Sequence, residues 1–212
     1  MTDGFWSRDF SLGCKTAALA GQLHALSWGR SFPGRRTSQR DPLHQIARFL
    51  SGPYSQLAVL REAVGELTAQ YEKMAGVCAN TVGLPQGLVH NDISAHNLLL
   101  DSSGGIAGLI DFDDCITSFL LYDLGRIAET WGRDINRGAD IDRIQQIIAA
   151  YDRARPLTER ESSLAVDFIA TYAAATGVNV LTNMLRHGTQ VEDPRESYSM
   201  LLFLDLRANA HL

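Results

Sequence analysis

The segment GLVHNDISAHNLLLDSSGGIAGLIDFDDC, residues 87–115, constrains the fold more than any other part of the chain. Two short apolar runs, 98–100 and 106–110, flank a Ser-Ser-Gly-Gly turn at 102–105. Apolar runs of this length around a glycine-containing turn are typical of a β-hairpin. Polar side chains gather at the edges of these runs: His90, Asp92, Asn97, Asp111, Asp113 and Asp114. The sequence therefore predicts a small hairpin that carries a polar site.

The remainder of the chain has mostly helical patterns. Apolar residues recur at helical spacing over residues 12–28, 53–77, 118–132, 140–154, 157–188 and 193–210. Thr158 and Glu161 have the spacing of a capping box, and Asp193 followed by Pro194 is a helix start. Residues 29–42 are rich in glycine, proline and polar residues and predict a loop. The predicted fold class is α+β, mostly α-helical, with residues 1–212 as a single domain around a small central β-hairpin.

Composition restricts the partners that we expect. The chain has 212 residues, 45% of them hydrophobic, which is enough for one domain with a hydrophobic core. Its formal net charge of −5 argues against nucleic acid as a partner. One local basic cluster is expected to be a solvated loop, and it comprises Arg30, Arg35, Arg36 and Arg40.

Cysteine usage and the N-terminus indicate the compartment. Cys14, Cys78 and Cys115 lie far apart without CxxC spacing, so neither a disulfide framework nor a zinc site is expected. The N-terminal residues lack the pattern of a signal peptide, and no apolar run approaches the roughly 18 residues of a membrane span. We therefore expect a cytoplasmic protein with no membrane partner.

The predicted hairpin places two oxygen ligands near each other. Asn97 stands at the start of one strand and Asp111 at the end of the other, so both can reach one ion. Mg²⁺ prefers oxygen ligands and takes one or two carboxylates together with phosphate oxygens and water. Asp92 precedes Asn97 on the loop and can face the same centre. A carboxylate there can orient a substrate hydroxyl and take its proton as it attacks a γ-phosphate.

The spacing H-x-D-x(4)-N from His90 to Asn97, followed by Asp111 in LIDFDD, resembles a known family. It is similar to the catalytic and metal-binding loops of the aminoglycoside phosphotransferase superfamily, the protein-kinase-like small-molecule kinases. The resemblance covers about residues 12–190 and is nearest to the homoserine and hydroxylysine kinase branch. It implies a kinase-like C-terminal lobe, ATP and Mg²⁺ as cofactors, and a small hydroxyl acceptor such as an amino acid, amino alcohol or aminoglycoside.

The resemblance also implies a role for each residue of the motif. Asp92 would be the catalytic base, and Asn97 and Asp111 would be the metal ligands. His90 and Asp123 would support the catalytic loop. The alternative is a turn rich in Asn and Asp whose side chains only satisfy its own backbone.

The loop departs from the family pattern in several positions. Asn91 replaces the small glycine often found between the His and the Asp. The loop sequence Ser-Ala-His at residues 94–96 is also unusual for the family. His96 is a candidate for substrate contact, or else an exposed loop histidine. Asp113 and Asp114 are candidates for contact with substrate or metal, or else they serve as a helix N-cap.

The sequence lacks the segment that would form the ATP-binding lobe, and this bears on activity. A kinase of this family holds ATP between two lobes, with a glycine-rich turn and a strand lysine supplied before the C-terminal lobe. No segment ahead of residue 12 fits that description, and both lysines, Lys15 and Lys73, lie in helical patterns. We therefore expect a C-terminal lobe with the N-terminal ATP lobe absent.

This absence leaves other functions open. We then expect the chain to be a fragment, or the missing lobe to be replaced by a partner chain or by self-association. A lobe that packs against another should leave an apolar patch beside the hairpin. A non-catalytic, truncated lobe that acts as a binding or regulatory module is the main alternative to an enzyme. A metal-dependent hydrolase fits less well, because the fixed positions of the motif include only one histidine, His90.

Overall fold

A computed structural model describes residues 9–30, 41–134 and 138–209. In these ranges the chain is mostly helical, and the predicted fold class is confirmed. The helices are α1 (Phe10–Ser27), α2 (Pro42–Leu50), α3 (Arg61–Ala79), α4 (Tyr122–Trp131), α5 (Ile141–Ala154), α6 (Glu159–Arg186) and α7 (Tyr198–Ala208). The strands are β1 (Gln86–Val89), β2 (Leu98–Leu100), β3 (Ile106–Leu109) and β4 (Ile116–Phe119).

Side-chain caps fix where several helices begin. Asp9 accepts a hydrogen bond from the Ser11 amide before α1, and Asp140 accepts one from the Arg143 amide before α5. The predicted capping box before α6 is confirmed. The Thr158 side chain accepts from the backbone of Glu161, and the Glu161 side chain accepts from the backbone of Thr158.

Helix α2 was missed, because the predicted loop ended at Pro42 and residues 43–52 were assigned to no element. Asp41 accepts from the His44 amide and Pro42 occupies the first turn, so an Asp-Pro pair begins this helix. Positions 31–40 of the predicted loop, with three arginines of the basic cluster, lie outside the described residues. The helix predicted from residue 53 begins at Arg61, because Pro53–Gln56 and Ala58–Leu60 form short 3-10 turns.

The four strands form two antiparallel pairs. β2 and β3 make the predicted hairpin, with Leu98 opposite Leu109. β1 pairs with β4, with Val89 opposite Ile116. Strand β4 was missed, and the helix predicted from residue 118 begins only at Tyr122, because Ile116–Phe119 extends along β1. The loop after β1 and the turn after β3 carry the predicted site residues except Asp123, which lies on α4.

Helix α6 lies at the centre of the core and packs against α2, α4 and α7. Phe168, Ile169 and Val178 on this helix are buried. By length and composition alone α6 could cross a membrane, so the expectation that no apolar run is long enough was wrong. However, 67% of its apolar window is buried inside the protein, as in a core helix. Cys14, Cys78 and Cys115 form no disulfide with one another.

Candidate active site

Asp92 lies at the centre of the candidate site and is held from two sides. The Asn97 Nδ2 amide donates to the Asp92 carbonyl oxygen and to its carboxylate Oδ2, both at 2.9 Å. The Arg126 Nε donates to the other carboxylate oxygen, Oδ1, at 2.9 Å. The Asp92 side chain is 35% exposed, so it is accessible to a small molecule while both of its oxygens have fixed neighbours.

His90 supports the loop that carries Asp92. Its side chain is fully buried, and its Nε2 lies 3.1 Å from the Ile110 carbonyl oxygen. The Asp92 amide donates to its Nδ1 at 3.3 Å. A carbonyl can only accept and an amide can only donate, so these two contacts assign the proton to Nε2. This contact to Ile110 joins the loop after β1 to the residue before Asp111.

Asp123, the second residue of α4, holds the backbone of the same loop. It is fully buried, and its carboxylate accepts from the His90 amide at 2.8 Å and from the Asn91 amide at 2.7 Å. Asn91 has a φ of 67°, and its carbonyl accepts from the Tyr172 hydroxyl at 2.7 Å. Gly and Asn tolerate this left-handed conformation better than other residues, so Asn91 is a conservative replacement for glycine in physical terms.

Asp123 also ends a chain of buried hydrogen bonds that begins at α6. His24 Nε2 lies 3.0 Å from Asp123 Oδ2, and His24 Nδ1 lies 2.7 Å from the Tyr151 hydroxyl. The Arg155 Nε donates to that hydroxyl at 2.8 Å, and Arg155 forms an ion pair with Glu161. Because the hydroxyl accepts from Arg155, its own proton is available for His24 Nδ1. His24 then donates from Nε2 to Asp123.

Glu129 lies behind Arg126 on the same helix. Its Oε2 accepts from Arg126 Nη1 at 3.3 Å, and its side chain is only 2% exposed. Burial raises the pKa of Glu129, although Arg126 and Arg133 act in the opposite direction. Burial lowers the pKa of Arg126, but its interactions with Tyr172, Glu129 and Asp92 outweigh burial, and the pKa is raised.

Asn97 and Asp111 are brought together as the hairpin register predicted. The Ile110 amide donates to the Asn97 carbonyl at 2.9 Å, so Asp111 follows the residue paired with Asn97. The Asn97 side-chain amide can donate both of its protons to Asp92. In the described part of the chain no hydrogen bond reaches Asn97 Oδ1. The Asp111 side chain is exposed, at a φ of 64°.

This pair of oxygen donors fits a hard cation that takes few protein ligands. Within the described ranges, no group of three or more His, Cys, Asp or Glu side chains is arranged for metal binding. Mg²⁺ is usually bound through one or two carboxylates, with phosphate oxygens and water completing its shell. Asn97 and Asp111 are therefore suited to a metal that arrives with a phosphate.

The other candidate residues lie nearby without a demonstrated role. His96 is exposed on the 3-10 turn Ala95–Asn97. Asp113 and Asp114 lie on the turn Phe112–Asp114, directly after Asp111. Their contact with substrate or metal stays a prediction.

Apolar side chains beside the site are exposed, as expected for a surface that packs against another lobe. They are Leu99, Leu100, Ile110 and Phe112, each at least 41% exposed. We call these four residues the hairpin patch. Phe112 also contacts the His90 ring, with centroids 4.7 Å apart.

His24, Arg126, Glu129 and Tyr151 were not predicted to belong to the site. Arg126 and Glu129 have the i, i+3 spacing that allows contact on a helix, which is a signal that sequence alone could have supplied. The contact of His24 with Tyr151 spans 127 positions of the chain, so no local pattern points to it.

Comparison with known proteins gives a consistent result. The profile of a family described as "Phosphotransferase enzyme family" (APH) matches residues 7–157. A homoserine kinase from Pseudomonas aeruginosa is 32% identical over 148 residues, which is 68% of this chain and 44% of that protein. A homoserine kinase from Polaromonas naphthalenivorans is 31% identical over 102 residues, 48% of this chain and 31% of that protein. This chain therefore spans less than half the length of these relatives.

Solved structures share the fold at low sequence identity. The amicoumacin kinase hAmiN, in complex with AMP-PNP, Ca²⁺ and Ami, has a TM-score of 0.64 at 15% identity, covering 99% of this chain and 63% of that one. The choline kinase LicA from Streptococcus pneumoniae has a TM-score of 0.63 at 11% identity, covering 96% of this chain and 66% of that one.

Proposed function

We propose, since this chain belongs to the phosphotransferase enzyme family, that it transfers the γ-phosphoryl group of ATP to a hydroxyl of a small molecule. Asp92 is the proposed base, and Asn97 and Asp111 are the proposed ligands of Mg²⁺. The observation that carries this proposal is the arrangement around Asp92. Asn97 binds the Asp92 carboxylate at 2.9 Å and lies in register with the residue before Asp111.

In the proposed reaction the Asp92 carboxylate accepts a hydrogen bond from the acceptor hydroxyl. As that oxygen forms a bond to the γ-phosphorus, the bond from phosphorus to the bridging oxygen of ADP breaks, and Asp92 takes the hydroxyl proton. The protein mainly positions the groups, since such transfers need orientation and charge neutralisation more than covalent help. Mg²⁺, when bound, would neutralise charge on the phosphates.

The acceptor class is proposed from relatives and structural neighbours. Their names include kinases for homoserine, choline and aminopropanol. All three compounds are small and combine a hydroxyl with an amino or ammonium group. We propose an acceptor of this size and chemistry. We also propose that the protein acts in the cytoplasm and that the whole chain forms one kinase-like lobe.

The hairpin patch supports a second candidate function. Exposed apolar side chains grouped beside a polar site are typical of a surface that another protein covers. Leu99 and Leu100 are 49% and 50% exposed, and this chain spans 44% of a homoserine kinase relative. The alternative proposal is a non-catalytic, truncated lobe that binds a small molecule or a partner chain.

Transfer of labelled phosphate separates the two proposals. The purified chain is incubated with γ-labelled ATP, Mg²⁺ and homoserine, choline or aminopropanol, beside the Asp92→Asn variant. Asp92→Asn keeps a side chain of the same shape and removes the base. Transfer by the wild type that falls by about 10²–10⁴-fold in the variant supports the enzyme. Absence of transfer to every acceptor favours the non-catalytic lobe.

A further inference from the structure

Arg126 contacts the proposed base but has no place in the predicted motif. It lies one turn after Asp123 on α4, and its Nε donates to Asp92 Oδ1 at 2.9 Å. Asn97 donates to the other oxygen, Oδ2, at the same distance. A carboxylate bound through one oxygen can still turn about its last torsion. Two donors from different elements, each on its own oxygen, fix its plane.

Arg126 also contacts a second carboxylate, that of Glu129. Its Nη1 donates to Glu129 Oε2 at 3.3 Å, and the Glu129 side chain is 2% exposed. An ionised carboxylate in such a place is costly unless a cation accompanies it. Arg126 supplies that cation while its Nε faces Asp92. The guanidinium therefore lies between a buried carboxylate and a half-exposed one.

The ion pair between Arg126 and Asp92 contributes more to the orientation of the Asp92 carboxylate than to the stability of the fold. Arg126 and Asp92 are 25% and 35% exposed, and ion pairs that contact solvent contribute little to folding. Their planar, directional hydrogen bonds nevertheless limit the orientations that the carboxylate can adopt.

We propose that Arg126 is a positioning residue that fixes the Asp92 carboxylate for proton transfer, and that Glu129 anchors Arg126 in this role. The inference rests on the proposed function of Asp92 and adds two residues to it. Its consequence is a site whose base is oriented from α4, the helix that also supports the loop backbone through Asp123.

A matched pair of arginine variants tests the kinetic part. Arg207 resembles Arg126 closely, since its Nε donates to Glu66 at 2.9 Å and its side chain is 23% exposed, but it lies on α7. We expect Arg126→Met to lower kcat by about tenfold to a hundredfold with little change in KM, because misplacement of a catalytic group has this effect. Arg207→Met should leave kcat unchanged.

Two conservative variants sharpen the kinetic test. Arg126→Lys should restore part of kcat, because its ammonium can reach one carboxylate at a time. Glu129→Gln should lower kcat less than Arg126→Met does. The inference is overturned if Arg126→Met leaves kcat unchanged or if Arg207→Met lowers it equally.

A spectroscopic readout keeps this test separate from the test of activity. In the ¹³C NMR spectrum of the full chain, the Asp92 side-chain carboxyl signal is assigned by its loss in Asp92→Asn. We expect this signal to shift in Arg126→Met and to stay in place in Arg207→Met. If the wild type transfers no phosphate, the proposed function fails for this chain and the spectrum alone decides. An unmoved Asp92 signal in Arg126→Met then overturns the inference.

Discussion

Replacing Tyr151 with phenylalanine tests the buried hydrogen-bond chain behind the candidate site. The ring lies beneath the Arg155 guanidinium at 5.0 Å, and phenylalanine keeps that contact. Only the hydroxyl is lost. It is 2.7 Å from His24 Nδ1 and 2.8 Å from Arg155 Nε, and the side chains of Tyr151 and His24 are fully buried.

The expected cost follows from the two groups left without a partner. A buried donor or acceptor that loses its partner costs about 1–3 kcal/mol. His24 cannot avoid this cost by moving its proton, because Nε2 must keep it in order to donate to Asp123. With partial relaxation, we expect the free energy of unfolding to fall by about 2–4 kcal/mol.

Equilibrium unfolding in urea, followed by circular dichroism, measures this loss. Tyr71→Phe is the control, since Tyr71 is half-buried and, in the described part of the chain, its hydroxyl makes no hydrogen bond. We expect the control to lose less than about 0.5 kcal/mol. Equal losses in the two variants would refute the view that this hydroxyl connects His24 with Arg155.

Three further predictions concern stability and reactivity. Gly125→Ala should lower the free energy of unfolding by about 1–3 kcal/mol, because a Cβ there would lie 2.2 Å from the Tyr172 Cβ. Asn91→Ala should cost about 1 kcal/mol more than Asn91→Gly, because the φ of 67° suits glycine. Burial raises the pKa of the Cys78 thiol to about 11. At pH 8 its alkylation should therefore be about 200 times slower than that of an ordinary thiol with the same access, and should accelerate as pH rises toward 11.

Each of these predictions has its own control. Gly65→Ala is the control for Gly125→Ala, because Gly65 lies on α3 with no atom near the added carbon. It should raise the free energy of unfolding by up to about 1 kcal/mol. A fall in that free energy like the one expected for Gly125→Ala would contradict the packing argument. Urea unfolding that gives equal stability for Asn91→Ala and Asn91→Gly would count against strain. Mass spectrometry follows Cys78 labelling by iodoacetamide, and a rate at pH 8 equal to that of the denatured chain would contradict the raised pKa.

Local patterns predicted much of the fold and the centre of the site. The hairpin and the proximity of Asn97 to Asp111 follow from one turn, so a few neighbouring residues determine them. The start of α6 follows from the Thr158 cap, which is equally local. Such features need no knowledge of distant contacts.

The missed features depend on residues far apart in sequence. Strand β4 extends because it pairs with β1 at the other end of the 86–119 segment, and an apolar run alone does not distinguish that strand from a helix. The contact of Arg126 with Asp92 spans 34 positions, and that of His24 with Asp123 spans 99. The packing of α1 against α4 brings His24 to Asp123, and the loop after β1 brings Asp92 to Arg126 on α4.

Calorimetric titration with ATP and Mg²⁺ tests the central claim most directly. It compares the wild type with Asp111→Asn, because asparagine tolerates the left-handed backbone at this position while the charge is removed. Asp142→Asn, an exposed change in the first turn of α5, is the control. We predict binding by the wild type and the control, weakened by roughly tenfold or more in Asp111→Asn. Equal binding by all three proteins, or no binding by the wild type, would contradict a metal-nucleotide site at the hairpin.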